Sequence, residues 1–593
     1  MRRALFSLLL AGLCACEGAL TGPRDDTIPT INPDGTMNPA GPTGPTPSPY
    51  ACDPTQTPQE LPLRRLTRRE YVNSVQAFAT QALPTSSSAA LGAIATELSQ
   101  VPDDAVVKAN GESHGGFTRL DQTMQQANVD STYAVANAFA RQATRPAARL
   151  TELMGSCATD ASTTNDASCL SALVDKLGPL AVRHALTAED RTFFVATAGT
   201  TPVDPDAVAD VLTVMLASPN FLYHLESGDQ SLGGDLYSLD AYELAARLSF
   251  QFWQAPPDAE LRAAAASGDL LQSATFDAQV ARLLADPRAD GMVNEFFDQW
   301  FRLHELGSLT SRLGTPQYDA FAGANRPSAQ LRDAMFDDVL SAVRWNVRHG
   351  ASLDGLLTDR RQFATSAELA ALYGAPAWDG TSEPVELPAE RSGLLTRPAF
   401  LANDSANTRP VMKGLRIRNA LLCDALPPPP GNLMVVPPEL SPDATTRQVV
   451  ANLTETPGSS CSGCHVSFNH LGYVSENFDA LGRVRTTQQL YDANGVPTSA
   501  PPVDTTAVPR VDLGDTRSFT GLGPVTARIA ESQRFDSCFA RQYFRYSFQR
   551  GESVTLDACS LRSLDDAARG GSLHDALSAI TRLPSFKTRR IVP

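Results

Sequence analysis

Several catalytic sequence motifs are missing from this chain of 593 residues. It has no glycine-rich phosphate loop and no zinc-protease helix. Positive charge is also scarce, because 49 Lys and Arg residues face 65 Asp and Glu residues, which gives a net charge of −16. This balance argues against nucleic-acid binding and against electrostatic attachment to anionic membranes.

Long apolar runs are missing as well, apart from a short one near the start. Arg2 and Arg3 precede an apolar stretch, residues 4–15, which is too short to span a bilayer and is typical of a signal peptide. The stretch ends in Leu13-Cys14-Ala15-Cys16, which resembles a bacterial lipoprotein cleavage box with Cys16 as the lipid-modified residue. Ordinary secretory cleavage nearby is the alternative. We predict an exported outer-membrane or cell-surface lipoprotein, periplasmic or extracellular, that meets the membrane only through this anchor.

One short motif carries most of the chemical information. Cys461-Ser462-Gly463-Cys464-His465 is the attachment pattern of c-type haem. Thiols at i and i+3 lie on one face of a helical turn and can add to the two vinyl groups of a porphyrin. Half of a zinc site, a redox dithiol and a local disulfide are the alternatives, but no second Cys-x-x-Cys and no His-x-x-x-His is present. We predict one covalent haem c on Cys461 and Cys464, with His465 as the proximal iron ligand.

The cysteine count agrees with export. Of ten cysteines, Cys14 leaves with the signal peptide, Cys16 takes lipid, and two take haem. The six that remain are Cys52, Cys157, Cys169, Cys423, Cys538 and Cys559. An even number in an oxidising compartment suggests disulfides. Short loops favour the pairs Cys157–Cys169 and Cys538–Cys559, which leaves Cys52–Cys423 by elimination, although the sequence proves no connectivity.

The layout of the chain predicts a mainly α, multidomain protein. A Pro-, Thr- and Gly-rich segment at residues 16–62 predicts a disordered tether. Amphipathic helices follow, the first opened by a capping box at Thr67-Arg68-Arg69-Glu70. Asn494-Gly495 is a two-residue hairpin turn, which predicts a small β excursion after the haem motif. The predicted segments are a signal peptide (1–15), the lipid-anchored tether (16–62), helical domains (63–175, 176–230 and 231–385), a cytochrome-c-like haem-motif domain (386–505) and a C-terminal helical domain (506–593).

Several sequence blocks occur in a fixed order after the tether. They begin with Leu63-Arg64-Arg65-Leu66-Thr67, Ala217-Ser218-Pro219-Asn220-Phe221, Leu239-Asp240-Ala241-Tyr242-Glu243 and Arg391-Ser392-Gly393-Leu394-Leu395, and a last block covers about 523–590. Together with Glu476-Asn477-Phe478-Asp479 after the haem motif, they resemble the planctomycete-type multidomain cytochrome-c-like family. Its members are exported proteins built from domains of unknown function with one haem motif. The resemblance implies location and cofactor but no established reaction.

The chain departs from this family after the haem motif. The family usually has Met-Asp-Pro, where this chain has Phe468-Asn469-His470. Any support that the aspartate gives to haem or to an ion in relatives is therefore in doubt at Asn469. His470 becomes an extra candidate for the sixth iron ligand, beside Met412 and Met434, and an iron without a sixth protein ligand is also open.

Charged residues near the motif have competing interpretations. Glu476 and Asp479 are candidates for acid–base work or ion binding, but such residues more often hold an arginine, and Arg483 and Arg485 are close in sequence. Three cationic residues upstream either pair with haem propionates or lie on a solvated face: Lys413, Arg416 and Arg418.

These features predict an electron-transfer protein or a haem-dependent oxidoreductase with an unknown substrate, and they leave open whether it is an enzyme. A redox partner or a surface substrate is expected, because the chain is far longer than a simple electron carrier. A single haem motif does not fit a two-haem peroxidase unless a partner supplies the second haem. The alternative is a haem-free anchored binding or scaffold protein, in which Cys461 and Cys464 form a structural disulfide.

Overall fold

A computed structural model describes residues 48–112, 115–426, 441–457 and 459–591. Mainly α architecture with a few short strands is confirmed. The predicted signal peptide, Cys16, Met434 and most of the tether lie outside the described residues. Of the helices in the described ranges, none has both the length and the apolarity needed to cross a bilayer.

The helices are short to medium in length and are named here in chain order. Those of the first half are α1 (Arg68–Ala82), α2 (Ser87–Gly92), α3 (Ala95–Ser99), α4 (Gln126–Thr144), α5 (Ala147–Met154), α6 (Asp166–Val182), α7 (Ala188–Thr197), α8 (Pro205–Ala217), α9 (Pro219–Leu222), α10 (Ala241–Trp253), α11 (Ala259–Ala266), α12 (Ser273–Ala285) and α13 (Ala289–Phe301). The later ones are α14 (Pro316–Ala322), α15 (Leu331–Arg348), α16 (Leu353–Thr358), α17 (Ala367–Tyr373), α18 (Pro398–Leu401), α19 (Pro410–Arg416), α20 (Thr446–Thr454), α21 (Ser460–His465), α22 (Asn469–Tyr473), α23 (Leu522–Ser532), α24 (Arg534–Phe548), α25 (Ala558–Gly570), α26 (Leu573–Ser578) and α27 (Pro584–Lys587).

Strands form small antiparallel sheets. They are β1 (Arg64–Arg65), β2 (Val107–Lys108), β3 (Gly116–Phe117), β4 (Tyr223–His224), β5 (Ser231–Gly233), β6 (Leu236–Ser238), β7 (Thr506–Ala507), β8 (Phe519–Thr520) and β9 (Thr588–Arg590). The pairs are β1 with β4, β2 with β3, and β7 with β8, while β5, β6 and β9 form a three-stranded sheet. In β1 and β4, Arg64 lies opposite His224.

The chain divides into two compact units, each of which contains several stretches of sequence. The motif unit contains Leu303–Ala342 and Asp354–Cys538. The terminal unit contains Tyr50–Arg302, Val343–Leu353 and Phe539–Pro593. These units are defined by compactness, so the finer division predicted from sequence blocks stays a prediction.

In the terminal unit, apolar faces of α1, α4, α6 and α8 form a hydrophobic core. Val75 is fully buried, and the rings of Phe78 and Phe139 meet edge to face at 6.2 Å. The predicted capping box at the start of α1 is confirmed, because Thr67 accepts from the Glu70 N–H and Glu70 accepts from the Thr67 N–H. Local side-chain chemistry therefore fixes where α1 begins.

The predicted β excursion lies in the motif unit. Tyr491 and Pro497 form an antiparallel bridge around the predicted turn. Gly495 donates its N–H to the Asp492 carbonyl at 3.1 Å and has a φ of 78°. Asp492 and Val496 close the hairpin by a second backbone bond of 2.9 Å. Three residues therefore form the loop instead of the two predicted, with glycine in the left-handed position.

Three disulfides are present among the described residues, and they correct two of the predicted pairs. Cys157–Cys169 is confirmed. The predicted pairs Cys538–Cys559 and Cys52–Cys423 are wrong, because the structure links Cys423 to Cys538 in the motif unit and Cys52 to Cys559 in the terminal unit. Loop length was the only guide in the sequence, but packing decides the partners. Cys538, in the first turns of α24, lies against the Ala420 carbonyl at 3.3 Å, three residues before Cys423.

Candidate haem-attachment site

The haem motif forms a short helix, α21, in the motif unit. Ser459 caps its N-terminus by accepting from the Ser462 N–H at 3.2 Å. Cys461, Cys464 and His465 are half-buried. The two cysteines therefore have the i, i+3 spacing on a helix that the chemistry requires, and neither belongs to the three disulfides.

A buried arginine holds the chain just after α21. Arg418 is 0 % exposed and lies in a π-helical turn, Ile417–Leu421. Its Nε donates to the Ser467 carbonyl at 2.8 Å, and one Nη1 bond reaches Asp424 at 3.0 Å. The other donors go to the carbonyls of Val511, Pro509 and Arg510. Because five N–H groups meet five acceptors inside the protein, Arg418 is committed to the fold and not to a haem propionate.

Two glycines allow α19 and α22 to touch. A Cβ atom at Gly414 would lie 1.9 Å from the Phe468 carbonyl oxygen, and one at Gly472 would lie 2.0 Å from the Pro410 carbonyl oxygen. Any side chain at either position would collide with backbone. This contact fixes α22, which begins four residues after His465, against α19.

His465 is oriented by a buried amide. Its Nδ1 lies 3.1 Å from Oδ1 of Asn469, which is 0 % exposed. The Asn469 amide nitrogen lies 2.9 Å from both Thr454 Oγ1 and Glu455 Oε1. No described residue forms a hydrogen bond with Nε2 of His465. The imidazole therefore keeps one ligating nitrogen available.

Glu455 connects this amide to two further residues. It accepts from the Tyr473 hydroxyl at 2.8 Å, and its second oxygen lies 3.8 Å from Nε2 of His470. Burial alone would raise the pKa of Glu455, but the nearby His470 ring and hydrogen bonds from Asn469 and Tyr473 lower it to about 2. Burial and the Glu455 carboxylate raise the pKa of Tyr473. Glu455 is thus an ionised hydrogen-bond acceptor at neutral pH.

Two of the three candidates for the sixth iron ligand, His470 and Met412, lie among the described residues. Nδ1 of His470 lies 3.1 Å from the Val508 carbonyl, so both ring nitrogens of His470 face protein groups. Met412 lies on α19 with 59 % of its surface exposed. Met434 lies outside the described residues. A role for any of them at iron stays a prediction.

The carboxylates after the motif hold arginines. Glu476, 2 % exposed, accepts from Arg485 at 3.1 Å and from Thr408 at 2.7 Å. Asp479 pairs with Arg483 at 2.6 Å. These contacts match the structural interpretation of the pair and bring neither carboxylate to His465.

Two upstream cations are also internal. Lys413 is buried beside Ser475, with Nζ to Oγ at 3.1 Å, and burial lowers its pKa to about 8. Arg416 donates to the Ala399 carbonyl at 3.0 Å and lies over the Phe400 ring at 4.5 Å. Both side chains stabilise the packing of α19.

Sequence reasoning missed Thr454, Glu455 and Tyr473, the three residues that surround Asn469. Nothing in their spacing connects them to the motif, since they meet only when α20 and α22 pack near α21.

Across the part of the chain that the structure describes, no group of three or more His, Cys, Asp and Glu side chains is arranged to hold a metal ion.

Comparisons with known proteins identify two segments. Residues 239–375 match the family model described as "PSD4: Protein of unknown function (DUF1592)". Residues 391–488, which include the haem motif, match the model described as "PSCyt3: Protein of unknown function (DUF1588)". The matches begin at Leu239 and Arg391, where the third and fourth blocks of the planctomycete-type cytochrome-c-like family were expected, and they support that resemblance. No curated protein and no solved structure matches the chain.

Proposed function

We propose that this chain is an exported protein that binds one covalent c-type haem through Cys461 and Cys464, with His465 as the proximal ligand. One observation carries the proposal. The two thiols share a short helix with an imidazole whose Nδ1 is already bonded to Asn469 and whose Nε2 has no partner among the described residues. The cysteines of this helix also stand apart from six others that are joined in disulfides.

The chemistry of these residues fits the group. Thiols form the thioether bonds of c-type haem, and a neutral imidazole nitrogen is a common axial ligand. When bound, the haem supplies one-electron chemistry. The protein residues hold and orient it: Ser459 caps the attachment helix, Arg418 fixes the chain after it, and Asn469 orients His465.

We infer electron transfer, or haem-dependent oxidation or reduction of an unknown substrate, as the role of this site. The segment that contains the motif is similar to a family whose short name, PSCyt3, suggests a cytochrome-like domain. The large helical remainder offers surfaces for a redox partner or substrate. Three disulfides indicate folding in an oxidising, extracytoplasmic compartment. We further propose attachment to the cell envelope through lipid on Cys16, with no nucleic acid as partner.

The experiment is a pyridine haemochrome spectrum and a denatured mass, measured on full-length protein produced in a host with c-type haem maturation. Wild type should show a c-type band and the added mass of one haem. Changing Cys461→Ser together with Cys464→Ser should abolish both signals. The matched control changes Cys157→Ser and Cys169→Ser, which removes a disulfide of the terminal unit and should leave haem attachment intact.

A colourless wild type with Cys461 and Cys464 oxidised to each other would reject the haem proposal. The haem-free binding or scaffold protein would then remain. Adding cyanide or carbon monoxide to a coloured protein would separate the two haem roles, because a sealed six-coordinate iron resists both ligands and an open site binds them.

A further inference from the structure

Asn469 occupies the position where the resembled family usually has aspartate, and an amide can present either its oxygen or its nitrogen to a histidine. Which atom faces His465 decides which ring nitrogen carries the proton. The surrounding donors and acceptors determine this choice.

Two hydroxyl groups next to Asn469 have already used their protons. Thr454 donates its Oγ1 proton to the Val450 carbonyl at 2.7 Å, and Tyr473 donates its hydroxyl proton to Glu455 at 2.8 Å. Both oxygens can therefore only accept from Asn469, whose amide nitrogen lies 2.9 Å from Thr454 Oγ1 and 3.3 Å from the Tyr473 oxygen. Glu455 is a third acceptor, at 2.9 Å. Three acceptors require the amide nitrogen to face them.

The amide oxygen then faces His465, and an amide oxygen cannot donate. Nδ1 of His465 must carry the proton, so the lone pair of the neutral ring lies on Nε2. Asn469 is fully buried, and its position is fixed by the contact of α19 with α22, so this bond is shielded from competing water.

We infer that Asn469 is a positioning residue, oriented by Thr454, Glu455 and Tyr473, that fixes the tautomer and the ring orientation of His465 for iron. Glu455 supplies the carboxylate that an aspartate would place directly on the imidazole, now separated from the ring by one neutral amide. This inference rests on the proposed haem function and deepens it.

The separation has an electrical consequence. A carboxylate hydrogen-bonded to a proximal histidine makes the imidazole a stronger donor and stabilises the more positive, oxidised iron. A carboxylate one residue further away does so more weakly, because the interaction falls with distance. The arrangement therefore sets the reduction potential above the value that a direct aspartate would give.

The test uses full-length, haem-loaded protein and measures the reduction potential by optical titration. Glu455→Gln keeps an acceptor for Asn469 but removes the charge, so the potential should rise. The double variant Glu455→Gln with Asn469→Asp exchanges the amide and the carboxylate while keeping the bond between them, so the potential should fall below that of wild type. Asn469→Leu should produce a mixture of haem spectra, because the ring is no longer held. Asn452→Leu, at an exposed amide on α20, should change nothing.

Outcomes separate the two proposals. A wild type without haem rejects the proposed function. A haem-loaded wild type whose potential is the same in Glu455→Gln and in the exchanged double variant rejects the positioning inference alone. Both of these variants keep the size of the original side chains, so they decide the question even if Asn469→Leu does not fold.

Discussion

Two histidines, one in each unit, each have one ring nitrogen next to a buried side chain, but their other surroundings differ. His224 of the terminal unit is 8 % exposed, and its Nε2 lies 3.3 Å from Glu70, which Arg119 also contacts at 2.6 Å. His465 of the motif unit is half-buried and bonded to the neutral Asn469. The first arrangement encloses its histidine among charges, while the second leaves Nε2 of the ring available.

The two sets of contacts stabilise different features of the protein. We define the His224 network as Glu70, Arg119 and His224, and the His465 network as Thr454, Glu455, Asn469, Tyr473 and His465. In the His224 network, removing one partner of a buried ion pair leaves the other charge buried without a partner, which strongly destabilises the fold. Hydrogen bonds in the His465 network set the direction of one side chain. Removing a carboxylate from each network should separate these roles.

The largest effect is expected for Glu70→Ala. Glu70 is 0 % exposed, so its loss leaves Arg119 buried without its carboxylate and also removes the capping box of α1. The free energy of unfolding should fall by about 3–5 kcal/mol. Glu455→Ala should cost only about 1–3 kcal/mol, because it removes hydrogen bonds and not a fully enclosed ion pair.

Thermal and urea unfolding of both variants would measure these losses. The matched control is Glu189→Ala, an exposed residue in the first turn of α7, with an expected loss below about 1 kcal/mol. Equal losses for Glu70→Ala and Glu455→Ala would contradict the comparison.

A middle-sized effect is expected within the motif unit from backbone contact alone. Gly472→Ala places a Cβ 2.0 Å from the Pro410 carbonyl oxygen, so α19 and α22 must separate, at a cost of about 1–3 kcal/mol. Gly463→Ala, between the two motif cysteines, has no atom within 4 Å of the new Cβ and should stabilise α21 by up to about 1 kcal/mol.

These two glycine variants show how much the His465 network depends on close packing. Urea unfolding gives the two free energies, and the haem spectrum of each variant reports the site. A neutral Gly472→Ala would mean that α19 and α22 do not touch as described.

The parts of the fold that sequence predicted are those in which neighbouring residues decide the structure. The capping box Thr67–Glu70, the position (though not the length) of the turn at Gly495 and the disulfide Cys157–Cys169 each depend on a few residues close in the chain. The predicted partners of Cys52 and Cys538 were wrong, because loop length does not indicate which distant helices pack together.

The haem motif shows the same division between local and distant information. Its helix and spacing follow from five consecutive residues, whereas the orientation of Asn469 depends on acceptors from α20 and from the residue after it. The sequence also does not show that Arg418 is fully buried, because an arginine in the core and one in solvent look the same in a sequence.

The smallest effect is a two-stage loss of stability in acid, in which His224 contributes to the first stage and Glu455 is one of the carboxylates that contribute to the second. Burial lowers the pKa of His224 below its usual 6.5, although Glu70 opposes the shift. As pH falls through 6.5, the unfolded chain therefore binds a proton that folded His224 does not, and unfolding becomes easier. The pKa of Glu455 is about 2 when folded against 4.5 ordinarily, so its contribution is complete above pH 4.5 and is lost as pH falls toward 2.

Urea midpoints measured at about pH 7.5, 5.5 and 3.5 would resolve the two stages. Glu455→Gln should leave the loss between the first two values unchanged and reduce the later loss by about 0.5–1 kcal/mol, a discounted figure because solvent screens a side chain that is 24 % exposed. Glu189→Gln should alter neither stage. Because only the unfolded chain takes up the first proton, wild type should already weaken at pH 5.5, before Glu455 is affected. A midpoint that stays constant down to pH 5.5 would show that His224 accepts a proton inside the fold, and the contrast between the closed and the open histidine would then fail.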